Sequence, residues 1–270
     1  MPATFDVKTY TRTPIDLRPA NLDLATLTGL DPATLAALRY LWQVEHGVLD
    51  LMRDVLVTPT HAESEVTAFL VTWGYEQYWL ATSLREVLTT NGAELDQEGD
   101  AVVGRLLRGW DERARPILHS VRTNLLGEQV VAGHLTTGWL DTAVLGLCYR
   151  RLAAVAPVCA PLTEAVLPMK ERHLAFYTAQ LQQRTPDPGA IRHARRAARA
   201  WRWPGARYAG HSALHPVAEL LLADPAARPD VCRVDARVQA LLGVAAGTPV
   251  RSALGRFVRG GNRSAGFRVQ

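Results

Sequence analysis

Four long stretches of the chain repeat apolar side chains at three- and four-residue spacing, and no stretch of any length alternates them. That periodicity belongs to helices with one buried face and excludes a sheet. "DPATLAALRYLWQVEHGVLDLMRDVLV" opens with Asp31 as N-cap and Pro32 at the first helical position. Its stripe runs Leu38, Leu41, Val48, Leu49, Met52, Leu56. "PTHAESEVTAFLVTWGYEQYWLATSLREVLTT" carries Val66, Phe69, Leu70, Trp73, Leu80, Leu84 and Leu88 on one side, and Asn91-Gly92 ends it. "EQVVAGHLTTGWLDTAVLGLCYRRLAAVA" is the third run, and the fourth spans residues 160–183, closed by Pro186 and Pro188. The expected fold is all-α, an antiparallel four-helix bundle. The expected division is an irregular arm over 1–30, the bundle over 31–186 and a helical extension over 187–270. Within the extension, "LHPVAELLLADPAARPDVCRVDARVQALLGV" reads as two short helices broken at Asp224-Pro225.

Composition narrows the setting. Of 270 residues, 48% are hydrophobic, ample for a core. No apolar run reaches the ~18 residues of a membrane span, and the N-terminus lacks a signal-peptide layout. A cytoplasmic protein with no membrane span is expected. Cys148, Cys159 and Cys232 form no CxxC, so reduced and mostly buried thiols are expected. The net charge is +4, and the basic side is 28 Arg against two Lys, Lys8 and Lys170. The arginine bias reads as codon usage. It leaves Lys170 as the one lysine beyond the N-terminal stretch.

The polar residues that interrupt the stripes are more informative. The first stripe passes through Glu45 and the second through Gln77. On the third, Leu135, Trp139, Leu145, Tyr149 and Leu152 bracket Thr142. On the fourth, Leu162, Val166, Met169 and Tyr177 bracket Lys170 and His173. Burying a polar group costs free energy unless it is hydrogen-bonded, and burying a charge costs more. Four helices each placing such a group inward imply one mutually satisfied cluster.

This pattern resembles the four-helix diiron-carboxylate (ferritin-like) superfamily, in its actinobacterial branch. The likeness lies in "VEHGVLDLMRDVLVT", "EVTAFLVTWGYEQYWLATSL", "WLDTAVLGLCYRRLA", "MKERHLAFY" and the tail from His215. Such proteins place Glu on helices one and three and Glu-x-x-His on helices two and four. Carried over, the ligand positions fall on Glu45, on Gln77 and Leu80, on Thr142, and on Lys170 and His173. Only Glu45 and His173 keep ligand chemistry. A one-residue shift on helix two would recover Glu76 but put Trp79 at the histidine position. Two ligands do not hold two irons, so no metal and no cofactor is expected. Lys170 supplies a positive charge in their place, and a Glu45–Lys170 ion pair flanked by Gln77, Thr142 and His173 is a satisfiable network.

A desolvated lysine and a Glu beside His can do acid/base chemistry without metal. The expected function is a cofactor-free enzyme of specialised metabolism, performing cyclisation, elimination or isomerisation on a hydrophobic small molecule. Its catalytic set is Lys170, Glu45, His173, Glu76, Gln77 and Thr142, and its substrate wall is Trp42, Trp73, Tyr149 and Tyr177. Trp79, Trp139 and Phe176 are further aromatics near that wall, and plain core packing explains most such rings. The alternatives are a diiron or single-metal oxidase or oxygenase, and a non-catalytic binding or scaffold protein. The run "RHARRAARAWRW" reads as a solvated helix face with Trp201 and Trp203 turned inward, so nucleic acid is not expected as a partner. Pairing of two chains through a helical face stays open. No GxSxG motif or phosphate loop is present.

Overall fold

The structure is a computed structural model. It describes residues 4–56, 63–95, 129–205, 217, 220–221 and 227–256, with 48–56 and 129 described by their helical backbone only. Every regular element among the described residues is helical, as the periodicity predicts. The elements are α1 (Val7–Arg12), α2 (Pro32–Leu56), α3 (Ser64–Thr90), α4 (Gln129–Val155), α5 (Ala160–Arg184), α6 (Pro188–Ala200), α7 (Arg228–Leu242) and α8 (249–256). Short 3₁₀ turns lie at Pro19–Asn21, Pro157–Cys159 and Val244–Ala246.

Local chemistry sets the boundaries. Asp31 caps α2, its carboxylate accepting from the backbone N–H groups of Ala33 and Thr34 at 2.9 and 3.0 Å. α3 ends at Asn91, and Gly92 follows with a φ of 72°, which favours glycine. The Asn91 amide also donates to the Leu27 carbonyl and accepts from the Leu30 N–H, tying the end of the arm to the end of α3. Asp187 caps α6, with Pro188 at its first position.

Side-chain pairs give the helix directions. The start of α2 lies by the end of α3, where Arg39 bonds the Glu94 carbonyl, and both helices meet at mid-length through Glu45 and Gln77. These two therefore run antiparallel. Glu65 bonds Gln180, and Lys170 bonds Gln77 further along, so α3 and α5 are antiparallel. Trp139 bonds Thr178, and the Tyr149 ring faces Lys170, so α4 and α5 are antiparallel too. α3 and α4 thus point the same way.

The arm and the extension share the core of the four long helices. Val7, Tyr10, Leu17, Leu24 and Leu27 of the arm are buried. In the extension, Ala190, Ala194 and Ala198 form a buried small-residue stripe on α6. Small side chains there let α6 approach α4 closely at Gly133, where an added Cβ would sit 3.7 Å from Ala197. Trp203 donates to the Tyr40 hydroxyl, which donates to the Pro204 carbonyl, locking the extension to α2. Buried Asp235 of α7 accepts from the backbone N–H groups of Val250 and Arg251 and so caps α8. Asp224-Pro225 and the glycine-rich end lie outside the described residues. No helix among the described residues is long and apolar enough to cross a membrane.

Candidate functional site

All four long helices place polar groups inward at mid-length, as the interrupted stripes imply. Glu45, Glu76, Gln77, Thr142, Lys170 and His173 are all buried. The geometry differs from a single cluster. It divides into two networks, because adjacent positions on a helix point about 100° apart. Gln77 faces one network and Glu76 the other.

The first network is the expected ion pair. Lys170 Nζ lies 2.7 and 2.8 Å from the two carboxylate oxygens of Glu45, with side-chain exposures of 2% and 0%. The Tyr149 hydroxyl donates to Glu45 at 3.3 Å. Gln77 satisfies both charges when its amide nitrogen donates to Glu45 at 2.8 Å and its oxygen accepts from Lys170 at 3.2 Å. Burial pulls the Lys170 ammonium below its ordinary pKa, and the Glu45 carboxylate opposes that pull. Burial and the same carboxylate push the Tyr149 hydroxyl far up, so it stays a donor.

The second network corrects the expectation for His173, which does not flank Glu45. Its Nε2 lies 2.7 Å from a carboxylate oxygen of Glu76. Glu76 also accepts from the Tyr10 hydroxyl at 2.6 Å and from the Ile15 backbone N–H at 2.7 Å. Arg172 stands 3.9 Å from it and donates to the Thr13 carbonyl at 2.7 Å, with its guanidinium over the Tyr10 ring. Burial pushes His173 down to about 4, against the pull of Glu76. Burial alone would raise Glu76, but donation from His173, Tyr10 and Ile15 outweighs it and holds the carboxyl below its usual value. The two shifts agree on one state: a neutral imidazole donating Nε2–H to a carboxylate. His173 Nδ1 then carries a free lone pair, and it is buried without a hydrogen-bond partner. Phe69, Trp73 and Tyr10 edge that ring, their centroids 5.7, 6.5 and 6.2 Å away.

The remaining expected residues divide. Thr142 is buried on α4, and no side-chain bond joins it to either network. Tyr149 and Trp73 do line the networks. Tyr177 packs edge-on to Phe69, and its ring fills the space beside Gly138. Trp42 is half-buried with its ring on His46, one turn along α2. Trp139 donates to Thr178 as a core residue. Cys148 and Cys159 are buried as expected, but Cys232 is exposed. Sequence reasoning missed Tyr10, the Ile15 N–H and Arg172. The Asp6 cap, with Val7 and Tyr10 three residues apart, was the available signal for an ordered, inward-facing arm.

The family resemblance implies a diiron centre, and these donors do not fit one. Both oxygens of Glu45 are engaged by an ammonium, Glu76 is turned to three donors, and Gln77 and Thr142 are weak neutral ligands. Among the described residues, no three His, Cys, Asp or Glu side chains gather into a metal-holding group. Comparison of the chain with protein-family models, curated proteins and solved structures returns no match.

Proposed function

We propose that the chain is a metal-independent enzyme on a ferritin-like four-helix bundle, moving protons on a hydrophobic small molecule in the interior where such bundles hold two irons. Support for the bundle comes from its helix directions: α2 with α3 and α4 with α5 are antiparallel, and α3 and α4 are parallel, as in ferritin-like folds.

One observation carries the catalytic reading. Glu76 occupies Nε2 of His173 and leaves the Nδ1 lone pair buried and unpartnered. A carboxylate that fixes the tautomer and stabilises the imidazolium is the arrangement of a general base. A proton leaves the substrate for Nδ1 and returns to another substrate atom, so an isomerisation or cyclisation balances without oxidant or co-reactant. Lys170, its charge opposed by burial, supplies the positive field beside the reacting centre. The aromatic edges of Phe69, Trp73 and Tyr10 suit an apolar substrate. They enclose the base, so a substrate must displace part of the wall. Phe5 and Tyr10 are the wall residues that belong to no long helix.

A second reading rests on the first network. Its charges are paired, sealed and saturated, as in a scaffold protein whose interior ion pair is purely structural. The deciding experiment offers hydrophobic intermediates to purified protein and follows product by mass spectrometry. Turnover lost in His173→Gln and Glu76→Gln supports the enzyme. Stable variants that leave the product pattern unchanged support the scaffold. Two irons per chain by elemental analysis would overturn the metal-free reading.

A further inference from the structure

The two parts of the chain carry opposite charge. Residues 1–187 hold 16 basic residues against 22 acidic ones, and residues 188–270 hold 14 arginines against four acids. The parts are therefore −6 and +10, which the overall +4 conceals. From Pro188 to Ala218 there is no Asp or Glu at all. Charge asymmetry of this kind marks a surface for a polyanion.

The structure decides where the arginines point. The buried stripe of α6 turns Arg192, Arg196 and Arg199 outward, and Arg202 follows just beyond the helix; all four are exposed. Among the described residues, no ion pair or hydrogen bond holds any of the four. Two exposed arginines of α7 and α8 contrast with this: Arg233 pairs with Asp230 and Arg251 with Asp235. Arg195 is also engaged, donating to the Leu242 carbonyl at 2.6 Å. Arg256 extends the basic surface at the end of α6, where it bonds the Trp201 carbonyl.

We propose that the Arg192–Arg196–Arg199 face of α6, continued by Arg202, docks on the phosphate backbone of a nucleic-acid duplex without reading its sequence. The three side chains span about 10 Å along the helix axis. Over that length a duplex presents about six phosphates. A bilayer is the poorer match, because the apolar side of α6 is already used against α4 and cannot insert. A single strand is poorer too, because it needs exposed rings for stacking, and Trp201 and Trp203 are buried. The solvated-face reading holds for the inward tryptophans; what it leaves out is that the outward charge has no acidic residue beside it in the sequence between Pro188 and Ala218.

The test is fluorescence anisotropy of a labelled duplex titrated with the whole protein across a salt series. The expected slope of log K against log salt is about −0.9 for each phosphate neutralised, and so about −3 to −4 for this face. The Arg192→Ala/Arg196→Ala/Arg199→Ala variant loses nearly 3 of that slope and keeps its circular dichroism. Arg196→Glu alone weakens binding more than Arg196→Ala. Arg18→Ala, in the acidic part, changes nothing. The proposal is overturned by no binding at about 50 mM salt, by an unchanged slope in the triple variant, or by capture on phosphatidylserine vesicles when the duplex is not bound.

Discussion

Lys170 and His173 stand three residues apart on one face of α5, yet each meets a different carboxylate. Lys170 reaches across to Glu45 on α2, and His173 to Glu76 on α3. Two buried acids and two buried bases are thereby paired off in side-by-side networks. The first neutralises charge. The second fixes the tautomer of an imidazole whose other nitrogen is unpartnered.

Removing one member of the first pair strands the other in a low-dielectric core. Lys170→Met is expected to cost about 3–5 kcal/mol, whereas Lys170→Met with Glu45→Leu recovers most of it, since apolar replacement of a buried pair is often neutral. Urea midpoints of the three proteins check this. Equal midpoints for wild type and Lys170→Met would contradict the buried ion pair.

The pH dependence follows from the lowered His173 pKa. In the unfolded chain the imidazole titrates near 6.5, and in the folded one near 4. Between those values the unfolded state binds more protons, so stability rises with pH across that window and is lost as pH falls through it. The loss is at most about 3 kcal/mol. Glu76, whose folded pKa is depressed, loses its contribution as pH falls further. Denaturant midpoints between pH 4 and 7 should slope in wild type and flatten between 5 and 6.5 in His173→Gln.

Tyr10 ties the arm to the site through one hydroxyl. Tyr10→Phe leaves the ring packing and removes a donor to Glu76, at a cost of about 1–3 kcal/mol. Because the Ile15 N–H bonds the same carboxylate, its hydrogen exchange should quicken in the variant. Exchange as slow as in wild type would show that the arm is held by packing alone.

Gly138 of α4 makes room for the Tyr177 ring of α5. A Cβ there would lie 2.7 Å from the buried Tyr177 ring. Alanine improves helix propensity by about 1 kcal/mol, but overpacking costs about 1–3. Gly138→Ala is therefore expected to lower the melting temperature, and Gly138→Ala with Tyr177→Leu to restore much of the loss.

The sequence by itself determined the helical class, the Asp31 and Asn91-Gly92 boundaries, and which helices carry inward polar groups. These are local properties, written in apolar spacing and cap chemistry within a few residues of each position. It also pointed to the Glu45–Lys170 pair, because an inward acid and an inward base in one core have few ways to be satisfied. Tertiary structure alone decided that Glu76 and Gln77 both face inward, that His173 belongs to Glu76, and that Tyr10 completes the site from the arm. The physical reason is that the rotation of each helix about its axis is set by all its neighbours together. A rotation of a few tens of degrees, invisible to periodicity, changes which carboxylate a given base meets.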